Sequence, residues 1–178
     1  MRTVALLVAG VLLAAAEPLT LGELGARIVP YEPVYFALDP SFDEKPVNAK
    51  FQISFACKVI GKEVALGQNS DGLFVAYSQT SFWDLESESK PFLDSSYRPE
   101  SWWHFSLPAS LSAESLSLEP GIGHESNGRS GDASRSLNHV FVRALGQWRD
   151  GDLVYNATPR VRLYTEKDDN PDIAEYRG

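Results

Sequence analysis

The chain has 178 residues, 16 Lys+Arg against 24 Asp+Glu for a net charge of −8, 43% hydrophobic residues, 11% aromatics and a single cysteine, Cys57. The acidic balance argues against a nucleic-acid partner, which needs a basic face, and one cysteine excludes an intrachain disulfide framework or a multi-cysteine zinc site. The apolar content excludes a disordered chain, and the length allows one domain with a core.

Met1-Arg2 is a short positive start, Val4 to Ala16 is an unbroken run of apolar residues and glycine, and Ala14-Ala15-Ala16 sets small residues before Glu17. This is the pattern of a signal peptide over residues 1–16. The run is short for an anchor and no basic stop-transfer residues follow, so export with cleavage is expected, leaving residues 17–178 as one domain. In an exported protein the lone cysteine is a packing residue. Beyond the N-terminus no stretch reaches the ~18 apolar residues of a spanning helix.

The remainder alternates with period two. Phe51, Ile53, Phe55, Cys57 and Val59 fall on one face, with Lys50, Gln52, Ser54, Ala56 and Lys58 on the other. Trp103, Phe105 and Leu107 alternate with His104 and Ser106, and Leu153 to Thr165 repeats the pattern. Each stretch predicts a strand with one apolar and one polar face. Turn signals at Gly61-Lys62, Gln68 to Gly72, Gly146 and Asp150-Gly151-Asp152 separate them. Two architectures fit: a soluble sandwich that buries the apolar faces, and a transmembrane barrel that turns them to lipid. Aromatics near strand ends, among them Tyr31, Tyr35, Trp83, Trp102, Trp103 and Trp148, resemble an interfacial girdle and favour the barrel.

Ser115 to Asn127 carries candidate chemistry. Leu116, Leu118, Pro120, Ile122, His124 and Ser126 share one face, so His124 and Ser126 extend an apolar stripe. A histidine beside a serine hydroxyl can take its proton and make it a nucleophile. Asn138, in the next candidate strand on a face with Val140, Val142 and Ala144, could accept the ring N–H of His124 and fix its tautomer. His104, though Ser106 follows at the same spacing, lies on the polar face of its strand, and His139 lies opposite Asn138, so both are expected in the lumen or at a rim.

His124-Glu125-Ser126-Asn127-Gly128-Arg129-Ser130, followed by Ser134-Arg135-Ser136-Leu137-Asn138, resembles the signature of bacterial outer-membrane phospholipase A. Tyr31 to Phe36, Lys50 to Ser54, Tyr77 to Trp83 and Asp168 to Ile173 resemble further segments of that family, so the resemblance spans about residues 30–178. It implies an all-β, antiparallel transmembrane barrel of twelve strands, of which this chain would be an N-terminal portion, roughly half to two-thirds. It implies a calcium-dependent, homodimeric enzyme of the outer membrane that hydrolyses phospholipid acyl esters with A1, A2 and lysophospholipase activity. By resemblance Ser126 is the nucleophile, His124 the general base and then acid, Asn138 the orienting group, and the Gly128 N–H an oxyanion donor, helped by a calcium-polarised water. The same resemblance places calcium on the Arg129 carbonyl, the Ser134 hydroxyl and a partner chain's serine carbonyl matching Ser89, with Asp169 binding calcium in the monomer. Gln79 matches a lipid-facing glutamine that helps dimers pair.

The chain departs from the pattern at Gly131, where the family has an acidic residue, and at Leu137, where an aromatic is usual. It also ends at Gly178, whereas the family continues with further strands. An open sheet edge in lipid would leave backbone groups unpaired, so a fragment or truncated product is expected. The alternatives are a non-catalytic barrel remnant and a soluble esterase on a sandwich.

Overall fold

The computed structural model describes residues 27–39, 48–61, 70–108, 113–166 and 170. The expected signal peptide, residues 1–16, and Asp169 lie outside the described residues. Among the described residues, nine strands form one antiparallel sheet: β1 (Ile28–Val29), β2 (Tyr35–Asp39), β3 (Asn48–Ile60), β4 (Gly72–Asp84), β5 (Phe92–Leu107), β6 (Ser115–Ser126), β7 (Ser136–Asp150), β8 (Leu153–Ala157) and β9 (Arg160–Glu166). β1 and β2 both pair with β3, and β8 and β9 both pair with β7, so the sheet is a meander with an interrupted strand at each edge. A short 3-10 turn, Gly131–Ala133, lies between β6 and β7.

The interruptions have local causes. Pro159 has no N–H to give a ladder, and it separates β8 from β9, although its carbonyl still accepts the Ala144 N–H at 3.0 Å. Pro30 and Pro33 act likewise between β1 and β2. There the chain leaves the edge, and Tyr31 and Glu32 turn across the concave side. Gln52 Nε2 donates to the Pro33 carbonyl at 2.7 Å and the Glu32 N–H to Ser54 Oγ at 3.0 Å, so the inward polar face of β3 holds the excursion. At the opposite end of β4, the Asp71 carboxylate accepts the Ser106 N–H at 2.7 Å, which holds its pKa below the usual carboxylate range.

Which face is buried decides between the two architectures. Ser54, Ser78, Thr80, Glu100, Glu119 and His139 are buried, whereas Ile53, Phe55, Val75, Leu118, Val140 and Val142 are exposed. Ile122, Val161 and Leu163 are 62%, 66% and 64% exposed. A sandwich would bury that apolar face. A sheet with a polar concave side and an apolar convex band is the pattern of a barrel in lipid. The five long strands have 12 to 16 residues, more than the ~9–11 that a tilted strand needs to cross a bilayer.

The concave side is filled with charge and aromatic rings. Tyr31 stacks on Trp102 at 4.8 Å, Trp102 lies parallel to Phe74 at 5.5 Å, and the Arg143 guanidinium sits 4.9 Å above Trp102. Arg143 Nε donates to Glu119 Oε2 at 2.5 Å, and His104 Nδ1 to Glu119 Oε1 at 2.8 Å. Buried charges survive only when paired in this way. Tyr31 and Trp102 thus belong to the interior and not to the aromatic girdle, because the two prolines redirect the chain at Tyr31 and Trp102 lies on the inward face of β5.

Candidate active site

β6 and β7 pair from Ser115↔Gln147 to Ser126↔Ser136, and this register puts His124 opposite Asn138. The His124 Nδ1–H donates to Asn138 Oδ1 at 2.8 Å. An amide oxygen only accepts, so the contact fixes the proton on Nδ1 and leaves the Nε2 lone pair for a base. Both residues are half-buried on the convex, apolar face, flanked by Ile122 and Val140. A hollow of about 510 Å³ beside them is lined by His124, Asn138, Ile122, Val140, Val75 and Pro99 among others.

Ser126 lies two residues beyond His124 on the same face, about 6.6 Å along the strand by the rise of an extended chain. Among the described residues no hydrogen bond joins the two side chains. Hydrogen bonds of this kind often tighten only when substrate is present. Ser126 borders a smaller cavity of about 240 Å³, with Asp94, Ser96, Glu125, Ser136 and Asn170 around it.

The loop after Ser126 is held by one side chain. Asn127 Nδ2 donates to the Ala133 carbonyl at 2.8 Å, while its Oδ1 accepts the N–H groups of Arg129 at 3.2 Å and Arg135 at 3.0 Å. The Asn127 N–H reaches the Arg135 carbonyl at 3.1 Å, closing the loop at its base. Gly128 has φ +67°, and a Cβ there would stand 2.8 Å from the Tyr97 ring. Both the left-handed backbone and the close ring require glycine. The Arg129 guanidinium lies 3.6 Å from Asp94 Oδ1 and donates to the Leu93 carbonyl. Asn170 Nδ2 donates to the Ser136 carbonyl, fastening a residue near the C-terminus beside β7.

The remaining predicted residues are spread over two loops. Arg129 and Ser134 are on the β6–β7 loop; Ser89 is exposed in the β4–β5 turn at the same end of the sheet. Among the described residues no group of three or more His, Cys, Asp or Glu could hold a metal. The donors in question are instead a carbonyl and a hydroxyl, hard oxygens of the kind calcium takes. Gln79 engages its own strand, accepting from Tyr77 Oη at 2.9 Å and donating to Ser81 Oγ at 3.1 Å.

Sequence reading gave no part to Asn127 or Glu100. Asn127 lies within the quoted signature, and an Asn-Gly step is itself a turn signal; its multiple bonds depend on where the loop returns. Glu100 follows Pro99, which hides the centre of β5 from a strand search.

Three comparisons with known proteins agree with this picture. The family model described as Phospholipase A1 matches residues 29–178. Phospholipase A1 of Klebsiella pneumoniae is 36% identical over 134 residues, which cover 74% of this chain and 45% of that protein. Phospholipase A1 of Escherichia coli K12 is 35% identical over 74% of this chain and 44% of its own length. The chain thus spans about half the length of the curated relatives it matches. Outer membrane phospholipase A from Escherichia coli superposes with a TM-score of 0.63 at 28% identity, over 85% of this chain and 68% of that one. An outer membrane phospholipase dimer of Salmonella typhi, with bound calcium, gives 0.64 at 27% identity, over 85% and 64%.

Proposed function

Because the chain belongs to the phospholipase A1 family, we propose that it acts in a bacterial outer membrane, hydrolysing acyl esters of phospholipids with A1, A2 and lysophospholipase activity. The observation that carries this reading is the His124–Asn138 hydrogen bond on the lipid-facing side of the sheet. Here the base and Ser126 face the side where acyl chains lie.

In the proposed reaction His124 Nε2 takes the Ser126 proton as Oγ attacks the ester carbonyl carbon. Asn138 holds the imidazole through Nδ1 and stabilises the imidazolium by accepting its N–H. The Gly128 N–H would donate to the oxyanion, which its close backbone approach permits. The C–O bond to the glycerol oxygen then breaks as His124 returns the proton to it. Water, deprotonated by His124, next attacks the acyl-serine; the C–Oγ bond breaks as His124 returns the proton to Ser126 Oγ, and the fatty acid is released. The Arg129 carbonyl and Ser134 hydroxyl would hold a calcium ion, joined by the Ser89 carbonyl of a second copy in a homodimer or by Asp169 in a monomer. Bound calcium would supply Lewis-acid polarisation at the ester. Residues 1–16 would direct export and be removed, leaving 17–178 as the barrel portion.

The test is Ser126→Ala in the natural protein purified in detergent micelles. Hydrolysis is expected to fall by about 10⁴-fold, with the heat-modifiable gel migration of a folded barrel retained. Full activity in the variant would reject the assignment. A wild-type protein that folds in the membrane and hydrolyses nothing would favour the non-catalytic remnant.

A further inference from the structure

His124 and Asn138 stand where the surrounding ladder is weak. On the β5 side, pairing passes from Tyr97↔Ser126 directly to Glu100↔Gly123, with no pair at Arg98 and Pro99. Pro99, which would face His124 in that register, has no N–H to give. On the β9 side, the β7–β9 register shifts between Asn138 and His139. The two strands that carry the dyad are therefore regularly paired to each other and irregularly to their neighbours.

On the concave side, one residue away, a side-chain contact spans the same place. Glu100, Gly123 and His139 form a row across β5, β6 and β7. The His139 Nε2–H donates to Glu100 Oε1 at 3.2 Å, with the side chains 4% and 3% exposed. The contact passes over β6 because Gly123 has no side chain: a Cβ there would lie 2.5 Å from His139 Cε1 and Nε2 and 3.1 Å from Glu100 Cγ. Arg160 of β9 joins it, its Nη2 donating to Glu100 Oε1 at 2.5 Å, and the Tyr31 hydroxyl donates to the same carboxylate. Four strands and the N-terminal excursion thus meet directly behind the His124–Asn138 pair.

We infer that Glu100 and His139 are positioning residues for the reaction: a clamp through the wall of the barrel. It ties β5 to β7 across β6 where the β5–β6 and β7–β9 ladders lapse, so that the paired strands keep their place and the Asn138 amide stays within reach of His124 Nδ1. The inference rests on the proposed catalytic role of that pair. Neither clamp residue touches substrate. They act through the placement of His124, and a misplacement of about 1 Å at a reacting group can cost on the order of a hundredfold in rate.

The test uses the natural protein in detergent micelles, with Gly123→Ala and His139→Phe as variants. Four quantities are measured: heat-modifiable migration, the ¹⁵N–¹H signal of the His124 Nδ1–H, and kcat and KM on a dispersed phospholipid. Barrel migration is expected to persist and the Nδ1–H signal to broaden or vanish. We expect kcat to fall about 10- to 100-fold with KM within about twofold. His139→Gln, whose amide can still donate to Glu100, should recover part of the loss; a general loss of packing would show no such recovery. If Gly123→Ala does not form the barrel, His139→Phe, which keeps a ring in place, decides alone. A retained Nδ1–H signal with unchanged kcat in folded His139→Phe overturns the clamp. A wild type that shows the signal but no hydrolysis fails the proposed function, and the signal in the variants still decides the clamp.

Discussion

At the scale of single residues, the site depends on a few atoms whose roles follow from what each can donate or accept. Asn138 presents an oxygen to His124 Nδ1, so it sets the tautomer without carrying charge. A hydrogen bond to an ionised partner contributes about 1.5–3 kcal/mol, which corresponds to a fall of about 10- to 100-fold in kcat for Asn138→Ala. Asn138→Asp keeps the acceptor and should recover most of that loss. Steady-state kinetics on the folded protein checks both, and an unchanged kcat in Asn138→Ala would remove the residue from the mechanism. Gly128 shows the same economy of means in the backbone: its φ of +67° and the Tyr97 ring 2.8 Å from a would-be Cβ both forbid a side chain. The Asn-Gly sequence displays that need directly. The bonds of Asn127 across the loop do not show in the sequence, because they join positions up to eight residues apart.

At the scale of elements, the β6–β7 connection is a loop closed at its base by Asn127, and it presents Gly128, Arg129 and Ser134. Replacing Asn127 by Ala leaves the Arg129 and Arg135 N–H groups without their side-chain acceptor. On the proposed reading, in which Arg129 and Ser134 hold calcium, a residue that orients them is worth about 10–100-fold in affinity, and Asn127→Ala should raise the calcium concentration for half-maximal hydrolysis by about tenfold. A calcium titration of activity checks this; an unchanged midpoint would mean that the loop holds its shape without Asn127. The strands themselves were legible where alternation runs unbroken, as in β3 and β6. β5 was legible only over Trp103 to Leu107, because Pro99 and a run of polar residues mask its first half. The stretch from Leu153 to Thr165 reads as one strand, yet it is two, since alternation continues through Thr158-Pro159 while Pro159 gives the ladder no N–H.

At the scale of the whole molecule, the fold is turned inside out relative to a soluble sandwich. Ionised groups pair across the concave side, and a band of aliphatic side chains faces outward. An arginine at a lipid-facing position near mid-strand costs about 2–4 kcal/mol at the bilayer midplane. Val142, 47% exposed near the centre of β7, is such a position, and Val142→Arg should lower stability by that amount. Denaturant unfolding from lipid vesicles, with Val142→Leu as the control, measures the difference. A neutral Val142→Arg would mean that this face does not meet lipid. The interior follows the opposite rule: Glu100 is served by His139, Arg160 and Tyr31 together, so removing any one partner leaves buried charge less well paired.

The antiparallel strands, the common face of His124, Ser126 and their leucines, and the order of the signature around them are legible along the chain. Those are properties of short chain segments, and period two records them faithfully. Alternation is symmetric between the two faces, so it left open whether the apolar side turns inward or outward. That follows from the folded sheet, in which charged residues far apart in the chain pair on the concave side. Tertiary structure also brought Asn138 to His124, sent Tyr31 into the interior, and set Glu100 against His139 across a glycine. The two inter-strand contacts depend on register, which the hydrophobic pattern and the turns set over the whole sheet, and Tyr31 depends on where the two prolines let the chain leave its edge.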